Sequence, residues 1–146
     1  MFSVTQSVID QPQGLPLKDS PVILRRVLLV EDNDNDARLA RRIIRKYDES
    51  IDVAMFTSGE DARDYLQREH WTPQLVLLDL KLPRMNGIEF MKVFHGMNGF
   101  DRIPIAVLTG SAGDIATAFE AGASSYILKD EFPSRFAEIV HTLGFD

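Results

Sequence analysis

Carboxylates, one hydroxyl and one ammonium recur in this sequence at the ends of short apolar runs. In the first such run, Leu75, Val76, Leu77 and Leu78 lead straight into Asp79, and Pro83 and Asn86-Gly87 then mark a loop. An apolar run with no polar alternation is the pattern of a strand buried on both faces, as in a parallel sheet. Taken alone, Asp79 reads most simply as a loop or turn cap after a strand. A second run changes the balance. Val27, Leu28, Leu29 and Val30 end in Glu31 and Asp32, with Asn33 and Asp34 beyond. Parallel strands bring their carboxyl ends to one sheet edge, so Glu31, Asp32 and Asp79 are expected to converge there. Three packed carboxylates repel unless a cation sits among them. Oxygen ligands with no Cys and no nearby His pair suit a hard cation such as Mg²⁺.

Two more runs have the same form. Residues 104–109 end in the hydroxyl of Thr109, and residues 125–128 are followed by the ammonium of Lys129. Acids, a hydroxyl and an ammonium at one edge make a phosphoryl-transfer site. A metal held by the acids neutralises phosphate oxygens, while the hydroxyl and the lysine bind others. One Asp is then left as the nucleophile, forming an acyl phosphate. Singly, Thr109 is a satisfied strand residue and Lys129 a surface charge. Four strands each ending in a required group are much harder to explain that way.

The elements that must position these groups follow from the periodicity. Between the first two acid-ended runs, residues 34–47 are helical: Ala37, Ala40, Ile43, Ile44 and Tyr47 share a face. Asp34 and Asp36 in the first turn and the basic residues after them suit the helix dipole. Arg38, Arg41, Arg42, Arg45 and Lys46 read as a solvated face rather than a nucleic-acid patch. A strand over 51–56 follows. A helix capped by Ser58, with Asp61 in the capping-box position, is expected to stop near Thr72-Pro73. Asn86 caps a third helix carrying Ile88, Phe90, Met91 and Phe94. A short helix spans about 114–121, and a last one starts near Pro133. His70 and Trp71 read as packing at a helix end. Five strands alternating with helices predict an α/β fold, a parallel sheet wrapped on both faces. A doubly wound order 2-1-3-4-5 puts the two acid-ended strands side by side at the switch point, where such sheets bind ligands.

The 146 residues make one domain with room for a sizeable core. A net charge of -6 argues against a phosphate-binding face for nucleic acid. With no cysteine there is no disulfide framework and no thiol nucleophile. No run approaches the ~20 apolar residues of a membrane span, and the N-terminus lacks the pattern of a signal peptide. A cytoplasmic location is therefore expected. Residues 1–22, rich in Gln, Ser, Pro and Asp, read as a flexible N-terminal arm, and 23–146 as the domain.

From about Ile23 to Leu143 the sequence resembles a response-regulator receiver domain of two-component signalling, with its five-stranded, flavodoxin-like fold. The matching segments are Val30-Glu31-Asp32, Leu77 to Pro83 with Gly87, Leu108-Thr109-Gly110, Ala121-Gly122-Ala123 and Tyr126 to Lys129. The resemblance implies Asp79 as the phosphoacceptor. It implies Mg²⁺ bound directly by Asp32 and Asp79, by the backbone carbonyl of Lys81, and through water by Glu31. Thr109 would be the switch hydroxyl, Tyr126 the switch aromatic and Lys129 the phosphate contact. Lys81 and Ser111 occupy positions that tune dephosphorylation in this family. Asp130 stands where the family usually has Pro, often after a cis bond. A cis bond to Asp130 would cost ~3 kcal/mol, which favours trans.

The same resemblance implies a histidine kinase or histidine phosphotransfer protein as phosphoryl donor. The chain would be no enzyme beyond catalysing its own phosphorylation and dephosphorylation. With no room for an effector domain after Asp146, output is expected through a downstream protein partner or a homodimer, without nucleic acid or membrane. An Asp-nucleophile phosphatase is disfavoured because it needs a second Asp two residues on, where Lys81 stands. The alternative from another class is a phosphorylation-independent interaction module. Such a module would be expected to have lost an acid or the lysine, and all are present.

Overall fold

A computed structural model describes residues 22–146. The arm expected over 1–22 lies, apart from Val22, outside the described residues. Five strands, β1 (Arg26–Val30), β2 (Asp52–Phe56), β3 (Leu75–Asp79), β4 (Ile105–Thr109) and β5 (Ser125–Leu128), form one parallel sheet in the order β2-β1-β3-β4-β5. Helices α1 (Asp34–Tyr47), α2 (Gly59–Glu69), α3 (Gly87–His95), α4 (Ile115–Glu120) and α5 (Phe132–Thr142) connect and close it. The order is the doubly wound one expected, with β1 and β3 adjacent.

The sheet divides its side chains between two cores by simple alternation. Val27, Leu29, Leu75, Leu77, Leu108 and Ile127 pack with Ala40 and Ile44 of α1 and Phe136, Ile139 and Val140 of α5. Leu28, Val30, Val76, Leu78, Ile105 and Val107 pack with Ala62 and Leu66 of α2, Phe90, Met91 and Phe94 of α3, and Ala118 of α4. Strands β3 and β4 are buried at every position, which is why their sequences show no polar alternation. The edge strand β2 is half-exposed.

Local chemistry sets the helix starts. The Asn33 side chain accepts from the Asp36 N–H at the head of α1. Asn86 and Glu89 form a reciprocal capping box on α3. On α2 the Ser58 hydroxyl accepts from the Asp61 N–H. That helix ends earlier than expected, at Glu69, because His70 turns left-handed (φ 53°). His70 is exposed there rather than packed, while the Trp71 ring meets Tyr65 at 6.0 Å. The 114–121 helix begins as a 3-10 turn over Ala112–Asp114. Arg38, Arg41, Arg42 and Arg45 all lie exposed on α1. Among the described residues there is no cis peptide bond, so Lys129–Asp130 is trans, within a 3-10 turn.

Candidate functional site

The register of β1 and β3 builds the site. Val30 is paired with Leu78, so Glu31 and Asp79 are the next residues of neighbouring strands. The Glu31 N–H still donates to the Phe56 carbonyl (3.0 Å), which holds that position as a continuation of β1. By alternation Glu31 follows Val27 and Leu29, and Asp79 follows Leu75 and Leu77. Both carboxylates therefore emerge on the α1/α5 side. Thr109 follows Ile105 and Val107 from the other side.

Glu31 and Asp79 are buried and Asp32 is exposed, yet one carboxylate oxygen from each lies within 4.8 Å of the others. Backbone donors orient two of them: the Asn33 N–H donates to Glu31 Oε2 (3.1 Å) and the Lys81 N–H to Asp79 Oδ1 (3.1 Å). Lys129, at the end of β5, sends its ammonium into the cluster. Its Nζ donates to Asp36 Oδ2 (3.1 Å) and Asp79 Oδ2 (3.4 Å). It also lies 2.9 Å from Glu31 Oε1. The approach is an ion pair in poor hydrogen-bond alignment, and it is the only polar contact that the buried Glu31 Oε1 makes among the described residues.

Burial pushes the Glu31 carboxyl up, to about 7; Lys129 opposes this and Asp79 adds to it. For Lys129 burial acts downward, but Glu31, Asp79 and Asp36 outweigh it and hold the ammonium above its ordinary range. Lys129 is thus held as a positive charge, and burial makes Glu31 reluctant to ionise even beside it. The arrangement fits a hard divalent cation: oxygen donors only, a negative excess, and two carboxylates buried beside a third.

Thr109 is buried, and its hydroxyl donates to the Ser111 carbonyl (2.8 Å) while accepting the Ser111 N–H (3.1 Å). Tyr126 is half-buried on β5, opposite Val107, and its ring meets Phe119 edge-on at 6.2 Å. The loop after Asp79 depends on Gly87. A Cβ there would come 2.6 Å from Leu80 Cα and 2.7 Å from the Asp79 carbonyl oxygen. Arg84 in that loop is left-handed (φ 60°), with its guanidinium 3.2 Å from Glu60 of α2.

The sequence thus located Glu31, Asp32, Asp79, Thr109 and Lys129 at one edge, and the fold brings the three acids and Lys129 together. Lys81 contributes its backbone N–H, with its side chain exposed. Asp36 is the residue sequence reasoning missed. Its place in the first turn of α1 suggested only a dipole interaction, and its partner is 93 residues away.

A doubly wound parallel sheet with an acidic cluster and a lysine at its switch point defines a class of phosphoryl-handling α/β domains. The match is more specific than that class. Residues 27–141 match the response regulator receiver domain, and the chain belongs to that family. Its relatives include the DNA-binding response regulator MtrA of Mycolicibacterium smegmatis. The two are 34% identical over 107 residues, which is 72% of this chain and 44% of MtrA. The chain therefore spans less than half the length of that relative. Similar solved structures include the phosphorylated cyanobacterial phytochrome response regulator RcpA (29% identity, TM-score 0.70, 82% of this chain and 91% of that one). The Mn²⁺-bound response regulator Rcp1 is also similar (29% identity, TM-score 0.65, 82% and 94%).

Proposed function

We propose that this chain is a phosphoacceptor of a two-component phosphorelay, taking a phosphoryl group on Asp79 from a histidine kinase or histidine phosphotransfer protein. The observation that carries the proposal is the meeting of Glu31, Asp32 and Asp79 within 4.8 Å, beside an ammonium held charged. The phosphorylated state of RcpA and the Mn²⁺-bound state of Rcp1 support it by similarity.

Asp32, Asp79 and the Lys81 carbonyl would hold Mg²⁺, with Glu31 acting through water. When bound, the ion neutralises charge on the phosphoryl oxygens. An oxygen of Asp79 forms the new P–O bond as the donor's bond to phosphorus breaks. Lys129, already 3.4 Å from Asp79 Oδ2, faces one phosphoryl oxygen. Thr109 reaches another by releasing the Ser111 carbonyl, an exchange of about 1 kcal/mol for a neutral hydrogen bond. Its displacement opens space beside β4 into which Tyr126 rotates. The altered face comprises residues 112–121, Tyr126 and α5, and it carries the regulated contact with a downstream protein or a second copy. The folded unit over 23–146 acts in the cytoplasm, and no helix among the described residues is long and apolar enough to cross a membrane.

Intact mass after incubation with acetyl phosphate and Mg²⁺ tests the proposal. The parent gains one phosphoryl group and Asp79→Asn gains none. A parent that stays unlabelled, or an Asp79→Asn variant labelled like it, contradicts the reading and leaves the interaction module.

A further inference from the structure

Lys129 and a divalent cation want the same oxygens. The ammonium lies 2.9 Å from Glu31 Oε1 and 3.4 Å from Asp79 Oδ2, two of the three groups able to hold a metal. The third anion around it is Asp36, at 3.1 Å, which is not part of the metal-capable cluster. Asp36 stands on the first turn of α1, on the flank facing the β5–α5 turn. With Leu39, Phe132 and the Lys129 side chain it lines a small cavity beside the acids. The α1 cap fixes its backbone, since the Asp36 N–H donates to the Asn33 side chain.

We propose that Asp36 is a positioning residue for Lys129. It shares the ammonium with Glu31 and Asp79 and so loosens its hold on the oxygens the cation needs. The inference rests on the phosphoacceptor reading of the site. It states how a lysine and a metal share one acidic pocket without excluding each other. An Asn at position 36 keeps the size of the side chain but loses its charge. The ammonium, already 2.9 Å from Glu31 Oε1, then pairs with Glu31 and Asp79 alone and competes harder with the ion.

A double-mutant cycle separates this from a plain field effect, because removing any nearby negative charge weakens cation binding somewhat. Mg²⁺ affinity is measured by titration for the parent, Asp36→Asn, Lys129→Gln and the double variant. Asp36→Asn is expected to weaken Mg²⁺ about threefold or more in the parent, and by clearly less in the Lys129→Gln background. Equal weakening in both backgrounds overturns the proposal. So does an unchanged affinity in Asp36→Asn. A second readout needs no metal: the Lys129 side-chain NMR signals of the metal-free protein shift in Asp36→Asn while the amide spectrum elsewhere holds. Lys129 signals that do not move overturn the inference. If the parent itself binds no Mg²⁺, the phosphoacceptor reading fails, and the Lys129 signals still decide the role of Asp36.

Discussion

Glu31 makes the stability of the metal-free protein fall as the pH rises through weakly acidic values. In the unfolded chain its carboxyl releases a proton near 4.5, and in the folded protein burial holds that proton to about 7. Between these values the folded state binds more protons than the unfolded one, so stability is greatest at the acid end and declines until pH 7. The gap of about 2.5 pH units corresponds to about 3 kcal/mol at 1.36 kcal/mol per unit. Lys129 is protonated in both states across this window and adds no slope. A divalent cation bound beside Glu31 would offset the decline by favouring its ionised form. Urea unfolding from pH 4.5 to 8, in chelator and in Mg²⁺, measures the effect. Glu31→Gln removes the titrating group, so its profile in chelator is flatter and its stability at pH 8 exceeds that of the parent by about 1–3 kcal/mol. Parallel profiles for the parent and Glu31→Gln across pH 4.5–7 would refute the reasoning.

Other substitutions test other parts of the site. Gly87→Ala forces a methyl against the backbone of Asp79 and Leu80. It should cost about 1–3 kcal/mol by urea midpoint and slow labelling by acetyl phosphate, since the loop beside Asp79 must move. Asn86→Ala removes the cap of α3 and should cost about 1 kcal/mol, with labelling retained. Thr109→Val loses both bonds to Ser111 and should cost about 1–2 kcal/mol. It should still be labelled but lose the amide shifts that beryllofluoride produces at Tyr126 and in residues 112–121 of the parent. Shifts in the parent confined to the loops around Asp79 would rule out this route of output.

The sheet was legible because burial on both faces leaves a run such as 75–78 with no polar residue, and because each such run stops at a group that must reach water or a ligand. The strand order came from the doubly wound pattern, which sets the two acid-ended strands, β1 and β3, side by side. The capping residues Ser58 and Asn86 could be read from residue type, because their bonds are local. The left-handed turns at His70 and Arg84 could not, as neither residue is Gly or Asn. Arg84 is met by Glu60, from the preceding helix. Asp36 was hidden for a similar reason. An acid in a first helical turn already has a local explanation, and the chain gives no sign that β5 ends beside it. The burial of the Glu31 carboxylate is likewise a property of packing. Sequence showed the acid but not that its solvation had been removed.

The central claim is that Asp79 carries the phosphoryl group. The most direct measurement is to label the protein with acetyl phosphate and Mg²⁺, trap the acyl phosphate by borohydride reduction, and locate the reduced residue by peptide mass spectrometry. Modification is expected at Asp79 alone, dependent on the divalent cation and absent in chelator. Modification at Asp32 or Glu31 instead, or labelling that proceeds equally well in chelator, would contradict it.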